Sequence, residues 1–297
     1  MTRCGYVALV GAPNAGKSTL LNQMVGSKIS IVTPKVQTTR ARITAIAMVD
    51  QTQMVFVDTP GIFAPKKRLE RAMVAAAWAG AAEADVVVLL VDVERGINAD
   101  VRAIIDGLVK HQGPVVLALN KIDTVRREML LQLTADLNAL RPFTATFMIA
   151  ALKGDGVPEL KANLAAMLPE GPWFYPEDQL ADISERLIAA EITREKLFLR
   201  LHQELPYSLT VETESWKEQK DGSVRIEQIV YVTRDNHKPI VLGKGGQTIK
   251  AIGAGARKDM EESFGHRVHL FLFVKVRENW SDDPERYQAM GLEFPKD

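Results

Sequence analysis

Eight residues near the start of the chain, Gly11-Ala12-Pro13-Asn14-Ala15-Gly16-Lys17-Ser18, read G-x-x-x-x-G-K-S. Glycines at this spacing let backbone N–H groups close around phosphate oxygens at a helix N-terminus, where the helix dipole favours negative charge. Lys17 can reach the outer phosphates, and the Ser18 hydroxyl can ligate Mg²⁺. Forty residues on, Asp58-Thr59-Pro60-Gly61 follows an apolar run. An aspartate at the end of a buried strand suits a direct or water-mediated hold on Mg²⁺. Gly61 has no side chain to keep its N–H away from a terminal phosphate. A third group, Asn120-Lys121-Ile122-Asp123, reads N-K-x-D. The Asp123 carboxylate can accept two hydrogen bonds from the ring N–H and exocyclic amino group of guanine. Adenine offers an acceptor there and no amino group, so a site built around that carboxylate rejects it. Asn120 would brace the neighbouring loops, and the Lys121 stem would cover the base. Each motif alone has a bland reading as a polar turn. Their order, each at a strand end, argues against it.

The flanking residues supply elements to hold these groups. Gly5 to Val10 is an apolar strand-like run, and Lys17 to Val25 carries Leu20, Leu21, Met24 and Val25 at helical spacing before Gly26. Ser27 to Arg42 is a long polar loop, of a length that is usually functional inside a compact domain. Ile43 to Val49 and Gln53 to Val57 predict an antiparallel hairpin. Arg68 to Ala82 is an alanine-rich helix, Asp85 to Asp92 a β-branched buried strand, Asn98 to His111 a helix and Pro114 to Leu119 a strand. Phe147 to Ala150 is the next strand, leading into Ala151-Leu152-Lys153-Gly154. Alternating strands and helices predict an α/β doubly wound sheet, six-stranded and mostly parallel, with ligand groups at the strand carboxyl ends.

Leu168 to Pro176 packs three prolines, a glycine and three aromatics into one stretch, which marks a linker that packs on something. Beyond it the pattern predicts a long helix over Ser184 to Glu204 and strands over Ser208 to Thr213 and Val224 to Thr233. The turn Gly243-Lys244-Gly245-Gly246 follows, then a helix from Gln247 to about Phe264 and a strand over Val268 to Val276. Gly243 and Gly246 would allow phosphates close approach, and Lys244 would add charge. Lys250, Arg257, Lys258, Arg267, Lys275 and Arg277 could extend a basic face. As a tetrapeptide, G-K-G-G is most often a flexible turn.

The chain has 297 residues, long enough for two domains, with 46% apolar and 25% charged residues. The formal net charge is zero, so bulk electrostatics point to no nucleic-acid partner, though a local basic face is compatible with it. One cysteine, Cys4, excludes an internal disulfide and suits a reducing compartment. No leader or membrane span is legible, so a soluble protein of the cytoplasm is expected.

Ordered G-x-x-x-x-G-K-S, T-T-R at Thr38-Thr39-Arg40, D-T-P-G and N-K-x-D resembles the translation-factor-like GTPases. That resemblance implies binding of GTP and GDP with Mg²⁺. The nucleotide contacts would be Gly11 to Ser18, Asp58 to Ile62, Asn120 to Asp123 and the turn Ala150-Ala151-Leu152. The family carries a serine where this chain has Ala150. The family also needs one threonine to close on Mg²⁺ and the γ-phosphate; Thr39 is favoured, with Thr38 the alternative. Ser18, Thr39 and Asp58 are thus the metal set, and Lys17, Thr39 and Gly61 the catalytic set. Ile62 stands where many GTPases place a water-positioning glutamine, so slow intrinsic hydrolysis is expected.

The order helix, strand, strand, helix, G-x-x-G, helix, strand resembles a prokaryotic-type (type II) KH domain, whose G-x-x-G turn clamps single-stranded RNA. The implied RNA contacts are Gly243, Lys244, Gly245, Gly246 and Lys250. A GTPase domain joined directly to such a KH domain is the arrangement of the Era GTPases, which this chain resembles from Gly5 to about Trp280. The expected bounds are a GTPase domain over 1–170, a linker over 171–184, a KH domain over 185–280 and a tail over 281–297. The resemblance implies binding of 16S ribosomal RNA near its 3′ end and a role in assembly of the small ribosomal subunit. It also implies a monomer and, in some members, weak peripheral contact with the inner membrane. The rivals are an RNA-binding scaffold with a vestigial nucleotide site and a GTPase serving another RNA-processing step such as tRNA modification.

Overall fold

Arg3–Gly11, a mostly apolar run, forms the first strand, β1, and lies at the centre of a sheet. The computed structural model describes residues 1–41 and 43–295. Arg42, the last residue of the polar loop, and Lys296 and Asp297 of the tail lie outside the described residues. From β1 the chain passes through the glycine loop into α1 (Lys17–Val25), which stops where Gly26 turns left-handed at φ 78° and its N–H bonds to the Asn22 carbonyl. β2 (Ile43–Val49) and β3 (Thr52–Asp58) make the expected antiparallel hairpin, in register Ile46 with Val55. Then come α2 (Arg68–Glu83), β4 (Val86–Asp92), α3 (Ala99–Leu108), β5 (Val115–Asn120), α4 (Arg127–Leu140), β6 (Ala145–Ile149) and α5 (Val157–Met167). The sequence pattern does not mark α4 or α5. In α4 the buried positions Leu130 and Leu137 are interspersed with exposed Met129, Leu131 and Leu140, which blurs the period, whereas α5 buries Val157, Leu160, Leu164 and Ala165 at helical spacing.

Strand order is β6-β5-β4-β1-β3-β2-β7, with every pair parallel except those made by β2. Two apolar clusters line the two faces. One joins Leu20 and Met24 of α1 to Leu160 and Leu164 of α5, and the other joins Ala77 of α2 to Ile104 of α3 and Leu137 of α4. The sheet therefore has seven strands rather than six. The seventh, β7, is the two-residue piece Ala181–Asp182, which pairs with Thr44 and Ala45 of β2. It arises because the Pro-rich stretch before it is pinned down. Phe174 stacks on Tyr6 at 5.4 Å, Trp173 Nε1 donates to the Gln51 carbonyl, and the Gln53 side-chain oxygen accepts from Phe174 and Tyr175 N–H. The stretch is a strap along the sheet, and it delivers two residues to the open edge of β2.

Two compact units account for the described chain. The first holds Met1–Ser30, Thr39–Asp182 and Tyr287–Asp297, and the second Ile31–Thr38 and Ile183–Arg286. In the second, Ser184 caps α6 (Glu185–Arg200) by accepting from Leu187 N–H. β8 (Leu209–Glu218), β9 (Val224–Val232), α7 (His237–Leu242), α8 (Gln247–Phe264) and β10 (Val268–Val276) follow, and α9 (Pro284–Ala289) comes near the end of the chain. β9 is central, antiparallel to β8 and parallel to β10. Leu197, Val211, Val230 and Val274 make one part of its core, and Ile226, Ala256, Met260 and Val268 another. Among the described residues no helix is long and apolar enough to cross a membrane.

Candidate functional site

The carboxyl ends of β1, β3 and β5 bring the three motifs together. Gly16 adopts φ 100°, and a Cβ there would lie 2.1 Å from Asn120 Nδ2. Only glycine fits, because the Asn120 amide sits against the loop. Asn120 donates from Nδ2 to the Ala15 carbonyl at 2.8 Å and accepts at Oδ1 from Ala151 N–H at 3.0 Å. One buried side chain thus ties the phosphate loop to the Ala150-Ala151-Leu152 turn. That turn lacks the family's serine, yet backbone bonds close it: Ala150 N–H donates to the Asp155 carbonyl, and Lys153 and Gly154 N–H donate to the Ala150 carbonyl. Ala150 and Ala151 are buried, and Leu152 points to solvent.

Lys17 is buried, with Nζ donating to the Gly11 and Ala12 carbonyls at 3.2 and 3.3 Å. Burial lowers its ammonium to about 8, against the upward pull of the Asp58 charge. Asp58 is fully buried, and burial raises its carboxyl above the usual range, opposed by Lys17 and by hydroxyl hydrogen bonds. Its Oδ2 accepts from Ser18 Oγ at 3.1 Å and from Ser30 Oγ at 2.8 Å, while Oδ1 has no hydrogen-bond partner among the described residues. Thr39 Oγ1 lies 2.8 Å from Ser18 Oγ. Thr38 turns away: its hydroxyl is 2.6 Å from Thr33 Oγ1 and donates to the Lys35 carbonyl at 2.7 Å. Of the two threonines, Thr39 is the one that reaches the Ser18–Asp58 group. Two hydroxyls and a buried carboxylate with an oxygen to spare fit a hard divalent cation such as Mg²⁺.

Thr59 Oγ1 donates to the Leu9 carbonyl, which locks the start of D-T-P-G onto β1. A Cβ on Gly61 would stand 3.0 Å from the Pro13 backbone, so this segment lies close against the phosphate loop. Ile62 N–H donates to the Gly11 carbonyl at 3.1 Å, and its side chain is buried in the cluster that holds Val10, Ala12 and Ala77. It faces the core, in the same cluster as Ala12 of the phosphate loop. Pro60 is buried beside it.

At N-K-x-D, Lys121 takes a left-handed φ of 68°, and its ammonium lies 2.5 Å from Asp92 Oδ2. Ile122 and Asp123 begin a short 3-10 turn, Ile122–Thr124. Asp123 pairs with Lys153 at 3.0 Å, and that hydrogen bond holds its carboxyl below the usual range. Ser30, Asp92 and Lys153 join the site without being legible as motif residues. Ser30 lies in the polar loop, Asp92 at the end of β4 and Lys153 just after the Ala150-Ala151-Leu152 turn, and each is recruited by the sheet order.

In the second unit, Gly243, Gly245 and Gly246 have φ of 74°, 59° and 75°, so three positions of the turn need glycine. Lys244 and Lys250 are exposed. The wider set of basic residues does not form one face. Lys250, Arg257 and Lys258 belong to α8, Lys275 is on the outer side of β10, and Arg277 pairs with Asp283 at 2.8 Å. Residues 31–38 pack on α6. Val32 N–H donates to Glu195 Oε1 at 2.9 Å, Lys35 Nζ donates to the Phe198 and Leu201 carbonyls, and Arg194, buried and braced by Glu191, donates to the Thr38 carbonyl.

Comparison with known proteins bears on both units. A family model described as 50S ribosome-binding GTPase matches residues 6–121, and a KH domain model matches residues 204–281. The GTPase Era of Dinoroseobacter shibae is 63% identical over 99% of this chain and 96% of its own length. That of Sinorhizobium medicae is 62% identical over 99% and 95%. Among solved structures, a tyrosine-to-alanine variant of Aquifex aeolicus Era bound to GDP and AlF₄⁻ is 38% identical, with a TM-score of 0.93 over 98% of this chain and 99% of that one. An Era in complex with MgGDPNP and nucleotides 1506–1542 of 16S ribosomal RNA matches with the same identity, TM-score and coverage.

Proposed function

This chain belongs to the Era family of GTPases, and from that premise we propose that it is a GTP-driven switch that clamps 16S ribosomal RNA near its 3′ end during assembly of the small ribosomal subunit. The observation that carries the reading is that one chain brings Lys17, Ser18, Thr39, Asp58 and Asn120 together at the carboxyl edge of its sheet and also holds three left-handed glycines in the turn Gly243 to Gly246. The 38%-identical Era solved with MgGDPNP and 16S RNA supports both halves.

In this reading the phosphate-loop amides and Lys17 hold the phosphates of GTP, and Asp123 reads the base once Lys153 yields to it. Mg²⁺, held by Ser18, Thr39 and Asp58, would neutralise charge on the outer phosphates. Gly61 would offer its N–H to the γ-phosphate. Because Ile62 is turned into the core, no side chain from that position orients water, and intrinsic turnover is slow. The segment 31–38 reports the nucleotide state. Thr39 belongs to the metal group, and the next carbonyl back, that of Thr38, is held by Arg194 of α6. Closing Thr39 on the nucleotide therefore pulls on the helix that opens the RNA-binding half.

Functionally the chain divides as 1–170, 171–184, 185–280 and 281–297: GTPase domain, strap, KH domain and tail. The RNA contacts are Gly243, Lys244, Gly245, Gly246 and Lys250. The protein works as a monomer where ribosomal subunits are made, in the cytoplasm, and any contact with the inner membrane is peripheral.

RNA crosslinking in cells, wild type against Gly246→Asp, tests the RNA half, with 16S rRNA the transcript expected to be lost. Because Gly246 has φ 75°, that change also strains the backbone, so Lys244→Glu, at an exposed position, is the companion variant. RNA affinity that is equal in the GTP-bound, GDP-bound and empty protein would rule out the switch.

A further inference from the structure

The outer face of the β8-β9-β10 sheet carries features that neither the nucleotide site nor the glycine turn uses. Along β10, Val268, Leu270, Leu272, Val274 and Val276 face the helices, and His269, Phe271, Phe273 and Lys275 face out. Phe271 is 42% exposed and Phe273 50% exposed. Two large rings at i and i+2 on one strand stand about 6.6 Å apart, roughly twice the ~3.4 Å rise of stacked bases. Strand register sets their neighbours. His269 pairs with Arg225, which pairs with Lys217; Phe271 pairs with Glu227, and Phe273 with Ile229; Lys275 pairs with Tyr231.

Two carboxylates near the rings are paired with arginine. The Arg225 guanidinium lies over the Phe271 ring, 4.5 Å from its centroid, and also bonds Glu227 at 2.8 Å. A second carboxylate on this face, Glu212, pairs with Arg286 at 2.6 Å. Both acids are thereby occupied by arginine, which leaves Lys217 and Lys275, exposed at either end of the row, as the cations that flank the rings. Exposed aromatics two residues apart on one face of a sheet, bordered by cations, make a stacking platform for splayed bases of single-stranded nucleic acid. An acidic peptide would use the cations and leave the two rings idle.

We infer that the outer face of this sheet, centred on Phe271 and Phe273, is a second single-stranded RNA surface on which two consecutive splayed bases stack. The inference rests on the proposal that the glycine turn clamps RNA. β10 is the edge of its sheet, and α7, which leads into Gly243, packs beside β10. RNA leaving the turn thus meets the edge strand, and rounding it reaches the two rings. The glycine turn holds about four nucleotides, and the face adds a sequence-tolerant grip on those that follow.

The test uses the full chain and two oligonucleotides of 16S 3′-end sequence, one of about four nucleotides and one of about twelve, with affinity read by fluorescence anisotropy. Wild type is expected to bind the longer strand at least ~10-fold more tightly. The double variant Phe271→Ala/Phe273→Ala is expected to bind the short strand as wild type does and to lose most of that gain. Phe271→Tyr/Phe273→Tyr, which keeps the rings, should retain it, and Phe271→Leu/Phe273→Leu, which keeps apolar area alone, should not. Both rings are exposed, so these variants fold. A double alanine variant that keeps the full gain overturns the inference. So does a variant whose only change is a drop from dimer to monomer in sedimentation, which would assign the rings to a protein contact. If wild type binds neither strand, the failure belongs to the RNA-clamp reading instead.

Discussion

Burial holds the Lys17 ammonium near 8, well below its unfolded value of 10.5. The unfolded chain therefore binds more protons between those two values, and the cost of burying this charge fades as pH rises through that window. Phosphate beside Nζ favours the charged form. Nucleotide binding at pH 8 should consequently take up about half a proton, falling to near zero at about pH 6.5, where Lys17 is already charged. Calorimetry in buffers of different ionisation heats reads this directly, and buffer-independent heats at pH 8 would contradict it. Ile62 leads to a second prediction. Since its side chain lies in the core, Ile62→Gln should not speed hydrolysis, and it should cost about 1–3 kcal/mol of stability from a buried amide without partners. A faster GTPase with unchanged denaturation midpoint would refute that. At this scale the motif residues were legible because each is chemically obliged to its place, while Ser30, Asp92 and Lys153 were not. They lie far along the chain from the groups they bond, and no spacing rule connects them.

Among the elements, the segment 31–38 departs most from what its sequence shows. As a string it is a polar loop without period, and the choice between Thr38 and Thr39 rested on resemblance. In the fold, Arg194 of α6 holds the Thr38 carbonyl, and Thr39 Oγ1 meets Ser18. Arg194→Ala should uncouple the two. GTP hydrolysis is expected to stay within about threefold of wild type, because no group at the nucleotide is removed, while the ratio of RNA affinities between GTP-analogue and GDP states falls toward one. An unchanged ratio would show that this tether carries no signal. The Pro-rich stretch makes the complementary point. Its aromatics announced packing, but that it would add a strand to β2 depended on the edge being open at Thr44 and Ala45, which strand order alone determines.

For the molecule as a whole, zero net charge conceals a basic turn, so RNA affinity should fall steeply with salt. Each phosphate contact contributes about −0.7 to the log–log slope for a single strand, and Lys244→Glu should reduce the slope by about that amount without changing GTP turnover. A parallel drop in turnover would mean that the substitution reaches beyond the turn. Local order was enough to establish the fold class, the base specificity expected of Asp123, the glycine turns and the family, since strand–loop–helix chemistry is written in residues a few positions apart. The convergence of Ser18, Ser30, Thr39 and Asp58, the burial that shifts Lys17, the turning of Ile62 into the core and the pairing of residues 31–38 with α6 were settled by folding. Each depends on which strands become neighbours and on how much water they exclude. Neither quantity has a period or a motif, so neither can be read along the chain.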